Sequence, residues 1–75
     1  MKLSKIFKKM DKIKIGDIIF DETTTESNEF RYCKVSKIDI NYFWGYWYKT
    51  LENIKNNLPC SDGTLPSEKE NCVKI

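Results

Sequence analysis

Apolar residues in the first thirteen positions, Leu3, Ile6, Phe7, Met10 and Ile13, recur at the three-and-four spacing of one helix face, with lysines on the other side. The pattern predicts a short amphipathic helix over 1–13, begun by Met1 or Ser4, that closes one end of the domain. The alternative is a helix that meets a membrane surface or an anionic partner; its stripe is too short and narrow to anchor well alone. From Lys14 onward the period changes. Lys14-Ile15-Gly16-Asp17 reads as a turn into the strand Ile18-Ile19-Phe20, with Gly16 supplying a permissive backbone angle and Asp17 a local hydrogen bond. Asp21 to Glu29 holds three threonines and no large apolar residue, so it cannot build a core and reads as a surface loop.

Phe30 to Ile38 alternates as a strand, with Cys33 and Val35 on one face and Tyr32 and Lys34 on the other. The phase slips at Ser36-Lys37 before Ile38, which predicts a bulge and a bend. Asp39 to Asn41 supplies turn residues, and a further strand runs from Tyr42 to about Lys49. Thr50 is placed to cap a short helix through Leu51, Ile54 and Asn57, with Glu52 in its first turn and Pro59 as its stop. Ser61-Asp62-Gly63 is a turn, Thr64-Leu65 a short strand, Pro66 to Lys69 a single helical turn, and Cys72 to Ile75 the last strand.

The strand from Tyr42 to Tyr48 carries the densest signal. Six of its seven residues, Tyr42-Phe43-Trp44-Gly45-Tyr46-Trp47-Tyr48, are aromatic, out of ten aromatics in the chain. Side chains alternate across a strand, so one core cannot hide them all. In the favoured phase Phe43 and Trp47 point inward and Gly45 lets a neighbouring segment approach closely. Tyr42, Trp44, Tyr46 and Tyr48 then point outward, because tyrosine hydroxyls prefer water and Phe43 does not. On the neighbouring strand Tyr32 shares the outward phase. That row is either covered by one of the two helices or forms a binding surface of the Tyr/Trp type.

Composition narrows the choices. A chain of 75 residues makes one domain with a small core. Residues 1–14 hold six lysines against Asp11 alone, while the rest holds seven bases and ten acids, so the body is slightly acidic. A duplex-DNA binder carries a broad basic face, which is missing here. Five acids and no base lie between Asp17 and Glu29, so Asp21, Glu22, Glu26 and Glu29 form a candidate acidic contact loop for a basic partner. Three cysteines with no CxxC and no histidine fit neither a disulfide scaffold nor a preferred zinc ligand set; no metal or cofactor is expected. Without histidine, with three well-separated glycines and no assembled carboxylate pair, the chain is read as a non-enzyme. No apolar run reaches a membrane span and no signal peptide is visible, so a cytoplasmic location without membrane contact is expected.

The order of elements resembles the SH3-like small barrel. The likeness is carried by Lys14-Ile-Gly-Asp-Ile-Ile at the entry, Val35-x-x-Ile38 in the second strand, Phe43-x-Gly45-x-Trp47 in the third, and Leu65-Pro66 before Val73-Lys74-Ile75, over residues 13–75. It implies a mainly β fold, a barrel of about five strands spanning 14–75. The N-terminal helix and the helix near 50–57 depart from the pattern. In size and composition the chain also looks like small barrels encoded by phages and mobile elements. The expected function is a protein-binding module, an inhibitor or adaptor acting on a host protein through Tyr32, Tyr42, Trp44, Tyr46 and Tyr48. The alternative is a single-stranded nucleic-acid binder that stacks bases on these rings while the N-terminal lysines hold phosphates. A homodimer through the same face is a variant of the first reading.

Overall fold

Five short runs of alternating apolar residues pair as one antiparallel sheet: β1 (Ile18–Asp21), β2 (Tyr32–Ile38), β3 (Tyr42–Tyr48), β4 (Leu65–Glu68) and β5 (Cys72–Lys74). A computed structural model describes residues 13–75. The helix expected over 1–13 lies outside the described residues, apart from Ile13, whose side chain is buried in the core. The fold is mainly β, with one short helix, α1 (Leu51–Lys55), and a 3₁₀ turn at Lys69–Asn71.

The strand order is β4-β3-β2-β1-β5, a meander of β1 to β4 with the last strand returning to β1. The sheet is open, since β4 and β5 share no ladder, but it is strongly curled. In a flat sheet β4 and β1 would lie about 14 Å apart, three strand spacings. Ser67 of β4 nevertheless donates its hydroxyl to the Asp21 carboxylate of β1 at 3.0 Å. Cys72 of β5 brings its sulfur within 3.5 Å of both the Ser67 hydroxyl and the Glu68 carbonyl.

The concave side holds the core: Ile13, Ile19, Cys33, Val35, Phe43, Trp47 and Cys72. Gly45 belongs to this side and is buried. A Cβ there would run into the Lys34 carbonyl oxygen and lie 2.6 Å from the Cys33 sulfur. The close neighbour that demands glycine is therefore β2 itself. Burial pushes the Cys33 thiol up to about 12, with neighbouring Cys72 adding to the effect.

The entry turn is as expected. Gly16 has φ +97°, its amide donates to Val35 O at 2.8 Å, and the Asp17 carboxylate accepts the Lys14 amide at 2.8 Å. That hydrogen bond, with Lys74 3.5 Å away, holds the Asp17 carboxyl below its usual value. Thr50 caps α1, its hydroxyl accepting the Asn53 amide at 3.1 Å.

Two expectations are corrected. Pro59 does not stop α1; Asn57, at φ 59°, turns the chain into the left-handed region and the Leu58 amide closes back on Asn53 O at 2.9 Å. Nor does Pro66 begin a helical turn. It sits opposite Trp44 in the edge strand β4, where a proline is tolerated, and the 3₁₀ turn comes three residues later. Beyond β4 the free edge of β3 is completed by Cys60, whose amide donates to Trp47 O, and by the buried Ser61 hydroxyl, which accepts the Trp47 amide at 3.0 Å.

Candidate binding face

The favoured phase of β3 is the one adopted. Phe43, Gly45 and Trp47 are buried, and the other residues stand on the convex side. Cross-strand pairing arranges that side in rows. Val73, Phe20, Tyr32 and Tyr48 form one, Ile18, Lys34 and Tyr46 the next, then Lys37, Trp44 and Pro66, and last Tyr42 beside Glu68. Tyr42 is 40% and Tyr46 43% exposed, and Trp44 is half-buried.

Tyr48 departs from the expected outward row. It lies opposite Tyr32, yet it is only 5% exposed. It is the last residue of β3, two residues before the capping Thr50, and α1 packs against β3. Tyr48 therefore contributes to packing rather than to accessible surface. Tyr32 is half-buried, its ring centroid 5.0 Å from that of Phe20. The accessible part of the predicted aromatic set is Tyr42, Trp44 and Tyr46. Helix α1 buries none of its own residues and leaves this part uncovered.

Phe20 and three cations join these rings; alternation sets Lys34 on this face beside Tyr32, whereas the sequence reading did not anticipate Phe20, Arg31 and Lys37. The Arg31 guanidinium lies over the Phe20 and Tyr32 rings, at 5.3 and 5.9 Å from their centroids. The Lys37 ammonium lies 5.3 Å from the Trp44 ring. Lys34 stands exposed between Ile18 and Tyr46. The bulge is what brings Lys37 here. Residues 34 and 37 are an odd number apart, so a regular strand would place them on opposite faces. The extra residue, Ser36, breaks the register between Val35 and Lys37, donates its hydroxyl to Trp44 O at 3.3 Å, and leaves Lys37 opposite Trp44. The slip in hydrophobic phase marked the bulge, but not the side chain it re-aims. The Trp44 indole N–H donates to the Asp39 carboxylate at 3.2 Å, which fixes the ring.

The acidic residues are gathered elsewhere. Asp21 is the last residue of β1, not a free loop acid: its carboxylate accepts the Thr23 amide at 2.9 Å, the Thr23 hydroxyl and the Ser67 hydroxyl. Glu22, Glu26 and Glu29 are exposed in the loop that follows. That loop borders a cleft of about 250 Å³, whose walls include Thr24, Phe30, Trp47, Leu65 and Ser67. Among the described residues no cluster of His, Cys, Asp or Glu could hold a metal ion, and no helix is long and apolar enough to cross a membrane. The three cysteines are free thiols.

No family model, curated protein or solved structure matches this chain.

Proposed function

We propose that this chain is a small non-enzymatic binding module that docks a protein partner through Tyr42, Trp44 and Tyr46, with Tyr32 at the margin, as an inhibitor or adaptor of the kind carried by phages and mobile elements. One observation carries the reading: two tyrosines on one strand face are each about two-fifths exposed beside an indole held in place by Asp39, while the opposite face of the strand is sealed. Rigid, amphipathic rings of this type supply large contact area at low entropic cost and dominate interface energetics. The scaffold is read as an SH3-like barrel. Its support is the strand order with β1 shared between β2 and β5, the 3₁₀ turn before the last strand, and the hydrogen bond between β4 and β1. Free buried thiols fit a reducing compartment such as the cytoplasm.

The test is capture from a lysate of the source cell with the wild-type chain and a Trp44→Ala/Tyr46→Ala double variant. Partner capture is expected to be lost in a variant whose circular dichroism and melting are unchanged; equal capture by both chains rejects this face. The competing reading, a single-stranded nucleic-acid binder, draws on Lys34 and Lys37. It requires tryptophan fluorescence to respond to oligo-dT at low salt and to lose that response steeply as salt rises.

A further inference from the structure

The convex face is a cationic as well as an aromatic surface, and the placement of its charges says what kind of partner it fits. Arg31 lies just before β2 with its guanidinium over Phe20 and Tyr32, and Lys34 and Lys37 stand on β2 itself, brought to one side by the bulge between them. None of the three joins an ion pair among the described residues. The buried Arg31 Nε has no hydrogen-bond partner. Of the acids around them, Asp39 is engaged with the Trp44 indole, Asp21 with Thr23 and Ser67, and Asp17 with Lys74, while Glu68 lies at the far edge beside Tyr42 and Glu29 is exposed in the loop before Arg31. Cations with no ion pair among the described residues, set between exposed rings, complement a chain that carries carboxylates and apolar side chains in turn.

Nucleic acid has the same charge, but the ring faces argue against it. Base stacking needs an open aromatic face. Arg31 already lies over Phe20 and Tyr32, and Lys37 over Trp44. A cation on a ring still has its remaining N–H donors for a carboxylate, so these pairs hinder stacking on Phe20, Tyr32 and Trp44 while leaving anion contacts available, and of the accessible rings only Tyr42 and Tyr46 are without a cation.

We infer that the partner segment is an extended, acid-rich stretch of protein that lies along β2 and β3, its carboxylates meeting Arg31, Lys34 and Lys37 and its apolar side chains resting on Tyr42, Trp44 and Tyr46. This rests on the protein-docking reading of the face. The β2 bulge then has a functional role, because it places the third cation on the docking side.

The experiment uses the full chain and three fluorescent probes: a synthetic peptide repeating Glu-Leu-Gly, its Lys-Leu-Gly counterpart, and oligo-dT. The Glu peptide is expected to bind, with weakening by salt. The Lys34→Glu/Lys37→Glu variant is expected to lose roughly ten-fold or more of that affinity and to gain binding to the Lys peptide. Both substitutions are at exposed positions, and an unchanged melting curve verifies the fold. Absence of Glu-peptide binding, equal binding of the two peptides, or tighter binding of oligo-dT overturns the inference. If lysate capture depends on Trp44 and Tyr46 but survives charge reversal at Lys34 and Lys37, protein docking stands and the acidic partner falls.

Discussion

The two faces of β3 are built from the same kinds of residue and behave differently. On the concave side Phe43 and Trp47 are sealed, and Gly45 between them has no room for even a methyl group. On the convex side Tyr42, Trp44 and Tyr46 are of comparable size, yet remain half-buried or exposed, and Trp44 has a lysine over its ring. Aromatic content alone therefore does not mark a core. What separates the faces is what lies opposite: Cys33, Val35 and backbone on one side, Lys34 and Lys37 on the other. With stability residing on the concave side and the proposed recognition on the convex side, substitutions should sort accordingly.

The largest effect is expected at Gly45. Alanine there meets the Lys34 carbonyl and the Cys33 sulfur, and both belong to a paired strand that cannot move without breaking the β2–β3 ladder. Gly45→Ala should cost more than about 3 kcal/mol, enough to unfold much of a marginally stable small domain. Urea denaturation measures this, and a midpoint close to wild type would mean that the strands are not this close.

Phe43→Ala and Tyr46→Ala compare the faces directly. The first empties a core site and should cost about 3–5 kcal/mol. The second removes a two-fifths exposed ring and should cost within about 1 kcal/mol. Similar losses at both positions, measured by thermal melts, would abolish the division of labour.

Much of this contrast was legible in the sequence, for identifiable reasons. The phase of β3 could be read because only one of its two alternations buries a residue without a hydroxyl beside a glycine. The β2 bulge was visible as a slip in the apolar repeat, and the α1 cap as Thr50 ahead of Glu52. Tyr48 was misplaced because alternation gives a side chain's direction but not its cover, which here comes at the strand end where α1 begins. Pro66 was misplaced because a proline at an edge strand and one at a helix start look alike locally. Lys34 could be set on the outer face by alternation, but its company was missed because charge was read by segment: a body with more acids than bases still places Lys34 and Lys37 together once the sheet pairs. Asp21 looked available in a run of acids, but threonines within the loop and a serine far along the chain occupy its oxygens.

An intermediate effect is expected where a polar group supports the concave side. Ser61 is buried, and its hydroxyl accepts the Trp47 amide beyond the end of β4. Ser61→Ala leaves that amide without a partner in a dry place and should cost about 1–3 kcal/mol. Hydrogen exchange gives the local reading: the Trp47 amide should lose protection, while amides on β1 and β5 change only as global stability changes. Uniform loss of protection would mean that segment 60–61 is not the local support described.

The smallest effect, under mild conditions, is a pH dependence confined to the concave side. The ordinary thiol value is 9.0, and burial, with Cys72 adding, raises Cys33 to about 12 in the folded chain. Below pH 9 both folded and unfolded chains keep this proton, so the thiol contributes no pH dependence. Between about 9 and 12 the unfolded chain gives up the proton while the folded chain holds it, so stability falls as pH rises, by at most about 1.4 kcal/mol per pH unit. Urea midpoints taken from pH 8 to pH 10 should decline for the wild type. They should decline less for Cys33→Ala, whose lower starting stability does not alter the slope argument. Trp44→Phe, a non-ionising change on the convex face, should keep the wild-type slope. If Cys33→Ala and wild type decline in parallel, the alkaline sensitivity comes from other groups, and the buried thiol does not distinguish the two faces.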